Sequence, residues 1–208
     1  MPIMCAQIRR PRFAALPMLL FAMLSTASLA ADGQSTLRVR GTITAFDGNV
    51  LSVKSRDGKD LQLKLTDKTV VVTAKAMKLE DLKPGDYVGS TTRTGADGSL
   101  VAVEIHTLAS TTPQGHTAWD LEPGSMMTNG NVGSLVQAAG GQHLTLEYKG
   151  GSQKIQVPPG TPIVTNTPAD RSFLKPGEYV FTGARIAADG TMTVQRIQVS
   201  RDGVKPPQ

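Results

Sequence analysis

From residue 37 onward the chain alternates. Leu37, Val39, Gly41, Ile43 and Ala45 are separated by polar partners, the period of a strand with one buried face. Asp47-Gly48 then supplies the positive φ of a tight hairpin, and Leu51 and Val53 open a second strand. Asp57-Gly58 turns into Leu61, Leu63 and Leu65, and Val70-Val71-Val72 continues extended. Leu79–Leu82 reads as one helical turn stopped by Pro84-Gly85. Tyr87-Val88 begins a fourth strand, Asp97-Gly98 turns it, and a fifth runs from Leu100 to His106. In that strand Leu100 and Ala102 alternate, but Ile105 comes three residues later. Such a break predicts a β-bulge.

The same order then returns. Shifted by 92 residues, Leu65–Ile105 falls on Val157–Ile197 without a gap, and 14 of the 41 positions are identical. Leu82-Lys83-Pro84-Gly85 recurs as Leu174-Lys175-Pro176-Gly177, and Ala96-Asp97-Gly98 as Ala188-Asp189-Gly190. Upstream, Leu51-Ser52-Val53 pairs with Leu144-Thr145-Leu146 across small gaps. The chain is an internal duplication. Three strands, a helical turn and two strands is the order of a five-stranded Greek-key barrel of the OB type. The expectation is therefore an all-β protein of two tandem OB-like barrels at 36–110 and 129–201. A connector at 111–128 and a tail at 202–208 complete it.

The N-terminus reads as an export signal over residues 1–30. Arg9, Arg10 and Arg12 precede the apolar run Phe13–Ala27, and Ser28-Leu29-Ala30 gives small residues at the cleavage positions. Phe13 is one place late for a twin-arginine pattern, so the general secretory route to the periplasm is expected. Cleavage changes the charge. The whole chain carries +5, but residues 31–208 hold 19 basic and 17 acidic residues, net +2, so the high pI is no nucleic-acid footprint. Aromatics make up only 4%, too few for a base-stacking platform. The only cysteine, Cys5, leaves with the signal, removing disulfide and thiolate chemistry. No later segment reaches spanning length.

The pattern Gly-x-Ile, Leu-x-Val, Thr-x-Val-Val, Leu-Lys-Pro-Gly-Asp-Tyr-Val, Ala-Asp-Gly, Ile resembles a bacterial domain-of-unknown-function family of exported OB-like barrels. The stretch from Gly115, with Trp119-Asp120-Leu121 and the tail Asp202–Pro207, is similar to small exported proteins automatically labelled "metal ABC transporter permease". The resemblance implies the fold and no activity; a permease would need spanning helices that the sequence lacks after its signal.

The candidate chemistry is sparse. His116, Met126 and Met127 are soft ligands in one irregular segment and suggest a copper or zinc site, against their reading as an apolar plug. Trp119 is either a stacking platform for a ligand or the anchor of the connector, with Asp120 beside it. Arg38 and Arg40 lie on the polar face of the first strand, where they could meet an acidic ligand or simply water. His106 and His143 are read as solvated. No catalytic motif is present, so the chain reads as a non-catalytic periplasmic binding or adaptor module for a protein or cell-envelope partner. The alternative is a metal-binding or metal-delivery accessory.

Overall fold

The computed structural model describes residues 35–138 and 141–207; the expected signal segment lies outside them. The strands are β1 (Ser35–Phe46), β2 (Val50–Ser55), β3 (Asp60–Ala76), β4 (Tyr87–Thr94), β5 (Leu100–Thr107), β6 (Gly115–Ala118), β7 (Met126–Ala138), β8 (Gly141–Tyr148), β9 (Gly151–Val157), β10 (Ile163–Ala169), β11 (Tyr179–Ile186) and β12 (Met192–Val199). Single 3-10 turns at Leu79–Asp81 and Arg171–Phe173 sit where each copy's helical turn is expected. The protein is all-β, and its strands close into five-stranded barrels.

The copies do not close separately. β1 pairs with β2 and β2 with β3, but the ring is completed by β11 on β1 and by β12 parallel to β3. The second ring joins β7, β8 and β9 to β4 on one side and β5 on the other. Each barrel thus takes three strands from one copy and two from the other. The expected division into a barrel at 36–110 and another at 129–201 gives way to an exchange of C-terminal hairpins. The cores follow the rings. Val39, Ile43, Leu51, Val53 and Leu63 pack against Val180, Val194, Ile197 and Val199. Val132, Leu144, Leu146 and Ile155 pack against Val88 and Ile105.

Backbone bonds lock the exchange at matching places. Gly177, in the second copy's Lys-Pro-Gly turn, donates to Ile43 O at 2.9 Å; Gly85, in the first copy's turn, donates to Val132 O at 2.8 Å. Arg171 reaches back 123 positions to donate to Gly48 O at 2.8 Å.

Between the rings, β3 runs antiparallel to β10, with Ala74 opposite Asn166. Those two positions are 92 residues apart, the offset of the duplication, so a pseudo-twofold axis passes there. The register agrees: Ile105 pairs with Ile163, and its equivalent Ile197 pairs with Val71.

Two glycines mark where each ring tightens. A Cβ on Gly41 would strike the Lys54 carbonyl oxygen, and one on Gly130 would strike that of Glu147. Both are backbone atoms that cannot step aside. The expected bulge occurs in β5, where Glu104 and Ala102 face consecutive residues Thr91 and Thr92, and its counterpart in the second copy lies in β12 between Val194 and Ile197. A third interrupts β1 between Ile43 and Ala45, and it corrects the alternation read there. Ala45 turns outward and Phe46 packs on the core instead.

Candidate functional site: an arginine recess filled by the connector

The outer face of β1 is not left to solvent. The connector crosses it as a loop closed by Ser125, whose carbonyl oxygen accepts from Trp119 N at 2.8 Å. The buried Ser125 hydroxyl accepts from Glu122 N at 3.1 Å and can donate to Trp119 O or Glu122 O. Held in this way, the loop presents Trp119 and Asp120 to the barrel. Arg38 and Arg40, two residues apart on one strand face, receive them.

Arg40 is only 3% exposed and donates through Nη2 to Asp120 Oδ1 at 2.8 Å. Arg38 Nη1 lies 3.6 Å from the other carboxylate oxygen. The Arg40 hydrogen bond, reinforced by the charges of Arg40 and Arg38, holds the Asp120 carboxyl below its ordinary pKa against the opposing effect of burial. Arg38 also stacks 4.2 Å above the Trp119 ring, while Arg40 lies 4.9 Å over Phe181, its cross-strand neighbour on β11. Arg56, at the β2–β3 turn, adds a fork: Nη1 donates to Leu121 O and Nη2 to Asp120 O, each at 2.8 Å.

The result is a recess of about 230 Å³ lined by Arg38, Arg40, Arg56, Asp57, Lys59 and Asp120. Lys59 is taken by Asp57 at 2.8 Å, and with the Ser55 hydroxyl it lowers that carboxyl to about 2. Two guanidiniums therefore hold one carboxylate, and a third holds the backbone carbonyls beside it. Arg40 Nε is buried with no partner. Such a place stabilises anions, and carboxylates above all, because a guanidinium fork matches their two oxygens.

The four residues expected to meet a ligand or partner, Arg38, Arg40, Trp119 and Asp120, are thus brought together. Of the two readings left open for Arg40, it meets an acidic group rather than water, because the outside of this barrel is an inside of the molecule. Arg56 and Phe181 were not singled out, since nothing in their local sequence marks them.

The three suggested metal ligands are placed differently. His116 on β6 lies opposite Thr128 and shares a 2.8 Å hydrogen bond with its hydroxyl. Met126 stands on that face and Met127 on the other, so the set divides across the sheet. Among the described residues no group of three or more His, Cys, Asp or Glu is placed to hold a metal, and no helix is long and apolar enough to cross a membrane. His143 is half-buried; His106, expected in solvent, is 8% exposed. It faces Gly89 on β4, where a Cβ would meet its Nε2 at 2.7 Å, so the glycine leaves room for the ring. Burial pushes its pKa down to about 4 and keeps the imidazole neutral.

The fold and the recess define a class, an all-β barrel protein with a basic recess sealed from within. Residues 40–106 match the family model described as a domain of unknown function, DUF5666. No curated protein and no solved structure matches the chain.

Proposed function

We propose that the chain is an exported, periplasmic, non-catalytic binding module of two OB-like barrels. The arginine recess of the first ring takes a carboxylate-bearing segment of a protein or cell-envelope partner. One observation supports this reading: Arg38 and Arg40 converge on a single carboxylate while Arg56 holds the backbone carbonyls beside it, and that carboxylate belongs to a loop laid over the barrel rather than to the barrel itself. In trans, an acidic residue preceded by an aromatic one would make the same contacts.

The test vacates the recess. A fluorescein-labelled peptide with the sequence of residues 117–123 is titrated against Asp120→Ala, wild type, and Asp120→Ala combined with Arg56→Ala. Saturable anisotropy with the single variant, at least tenfold weaker with the other two, supports the reading. Equal binding by all three, or by none, overturns it.

A further inference from the structure

A second, smaller cavity lies beside the pseudo-twofold axis and is bounded in part by Trp119 and Phe181. On the strands that cross between the rings, alternate residues enter the two cores. The others face a layer made by the connector, the tail and the edge of β7. There Gln198 pairs with Val72, and His106 pairs with Val164. His106 and Gln198 are 92 residues apart, one position of the repeat seen twice. Together with Asn129 they line a cavity of about 170 Å³ whose other walls are Trp119, Met127, Phe181, Leu108, Thr112 and Pro207.

Three buried polar atoms of this lining have no partner: His106 Nδ1, Asn129 Oδ1 and Gln198 Oε1. They come from three strands, β5, β7 and β12, and share one cavity. Buried polar groups are paired in folded proteins, and leaving one unmet costs about 1–3 kcal/mol. Asn129 is oriented, because its amide nitrogen donates to Pro113 O at 3.1 Å and leaves its oxygen unmet. His106 is neutral, for the burial already described, so its ring offers one donor and one acceptor.

The lining also defines the charge of what it takes. Two carbonyl oxygens cannot satisfy an anion. A cation would sit against rings that already carry Arg38 and Arg40. The same objection applies to a soft metal ion on His106 and Met127. An uncharged molecule remains, with two donors for the amide oxygens and an apolar body for Trp119, Phe181 and Met127. For scale, a cavity of about 150 Å³ holds benzene.

We infer that this cavity is a binding site for a small, uncharged, ring-sized molecule carrying two hydrogen-bond donors. Its polar lining, His106, Asn129 and Gln198, contains none of the arginines of the recess.

Resorcinol is the probe and benzene its donor-free counterpart, titrated into the 15N-labelled protein. The readouts are the side-chain amides of Asn129 and Gln198 and the His106 imidazole nitrogens. Saturable shifts are expected, with resorcinol at least tenfold tighter than benzene and ring-proton NOEs to Met127 and Phe181. Gln198→Leu should erase most of that tenfold preference, and Lys68→Ala, an exposed residue away from the cavity, should leave it intact. If Gln198→Leu does not fold, the wild-type preference and the NOEs decide. The site is overturned if shifts do not saturate at millimolar resorcinol, if benzene binds as well, or if ordered water alone occupies the cavity, seen as water-to-Gln198 NOEs that resorcinol does not displace.

Discussion

The two barrels present the same positions to different ends. Arg40 opposite Phe181 in the first ring corresponds to Asn129 opposite Gly89 in the second, and Gly41 opposite Val180 to Gly130 opposite Val88. Where packing inside the barrel decides, the pair is kept: a glycine faces a valine in both. Where the residue points outward, the pair has diverged. One face became a cationic recess holding the connector; the other gave up its side chain at Gly89 to admit a neutral imidazole. Duplication conserves what closes a barrel and leaves the outer surface to differ, even where that surface is buried between the rings.

The strongest way to break the comparison is to separate the copies. Were each copy its own barrel, residues 31–110 would fold alone. Because three of its strands and the other two belong to different rings, this fragment is expected to lack a cooperative monomeric transition. Circular dichroism and sedimentation check this, and a sharp melt of a monomer would refute the exchange.

Next come equivalent core truncations. Leu51→Ala and Leu144→Ala remove fully buried side chains from different rings, and each should cost about 2–5 kcal/mol. Both should displace one shared denaturant transition, since every copy spans both cores. Two separable transitions would show independent barrels.

The histidine sharpens the contrast through pH. His106 falls from 6.5 to about 4 on folding, so the unfolded chain binds the extra proton between those values. Its stabilising effect is complete above pH 6.5 and declines as pH falls toward 4, by about 2 kcal/mol at pH 5. Burial also lowers His116, in the same sense. The measurement is therefore the difference between wild type and His106→Gln, which installs the residue its own repeat uses at 198. The variant should lose less stability from pH 7 to pH 5.

Smallest is the ion pair. Asp120→Asn leaves buried Arg40 with a weaker acceptor, but the carboxylate is 48% exposed, so the loss should be about 1 kcal/mol. The lowered pKa of Asp120 means its contribution is present above the usual carboxylate range and fades as pH falls through the folded value. Urea melts at pH 7 and pH 3 should converge for wild type and variant at the lower pH.

Strand positions, turns and bulges in β5 and β12 were legible because each is a local pattern of side-chain period, glycine and proline. The pairing of hairpins across copies was not. A repeat whose copies share one hydrophobic pattern offers every strand two partners of equal fit, so the sequence cannot say which one closes the ring. The same ambiguity hid the burial of Arg40 and His106. Period two placed both outside a barrel correctly, as the buried neighbours Val39 and Ile105 confirm. For His106 outside became equated with water, and for Arg40 water stayed one of two readings, only because the second barrel's position was unknown. The meeting of Arg38, Arg40, Trp119 and Asp120 was half visible, as an unusual basic face and an aromatic–acidic pair 80 residues on. Their contact depended on a loop whose shape is fixed by Ser125.

The exchange also sets the order in which the chain can become solid. A nascent polypeptide completes the first three strands of one ring by Ala76, yet those strands wait for a hairpin that ends at Val199. The other ring, begun later, is complete first, at Val157. Its opening residues belong to the barrel finished last, so for most of its synthesis this chain is a pliable thread. Passage through a narrow pore, which the proposed export would entail, requires that condition.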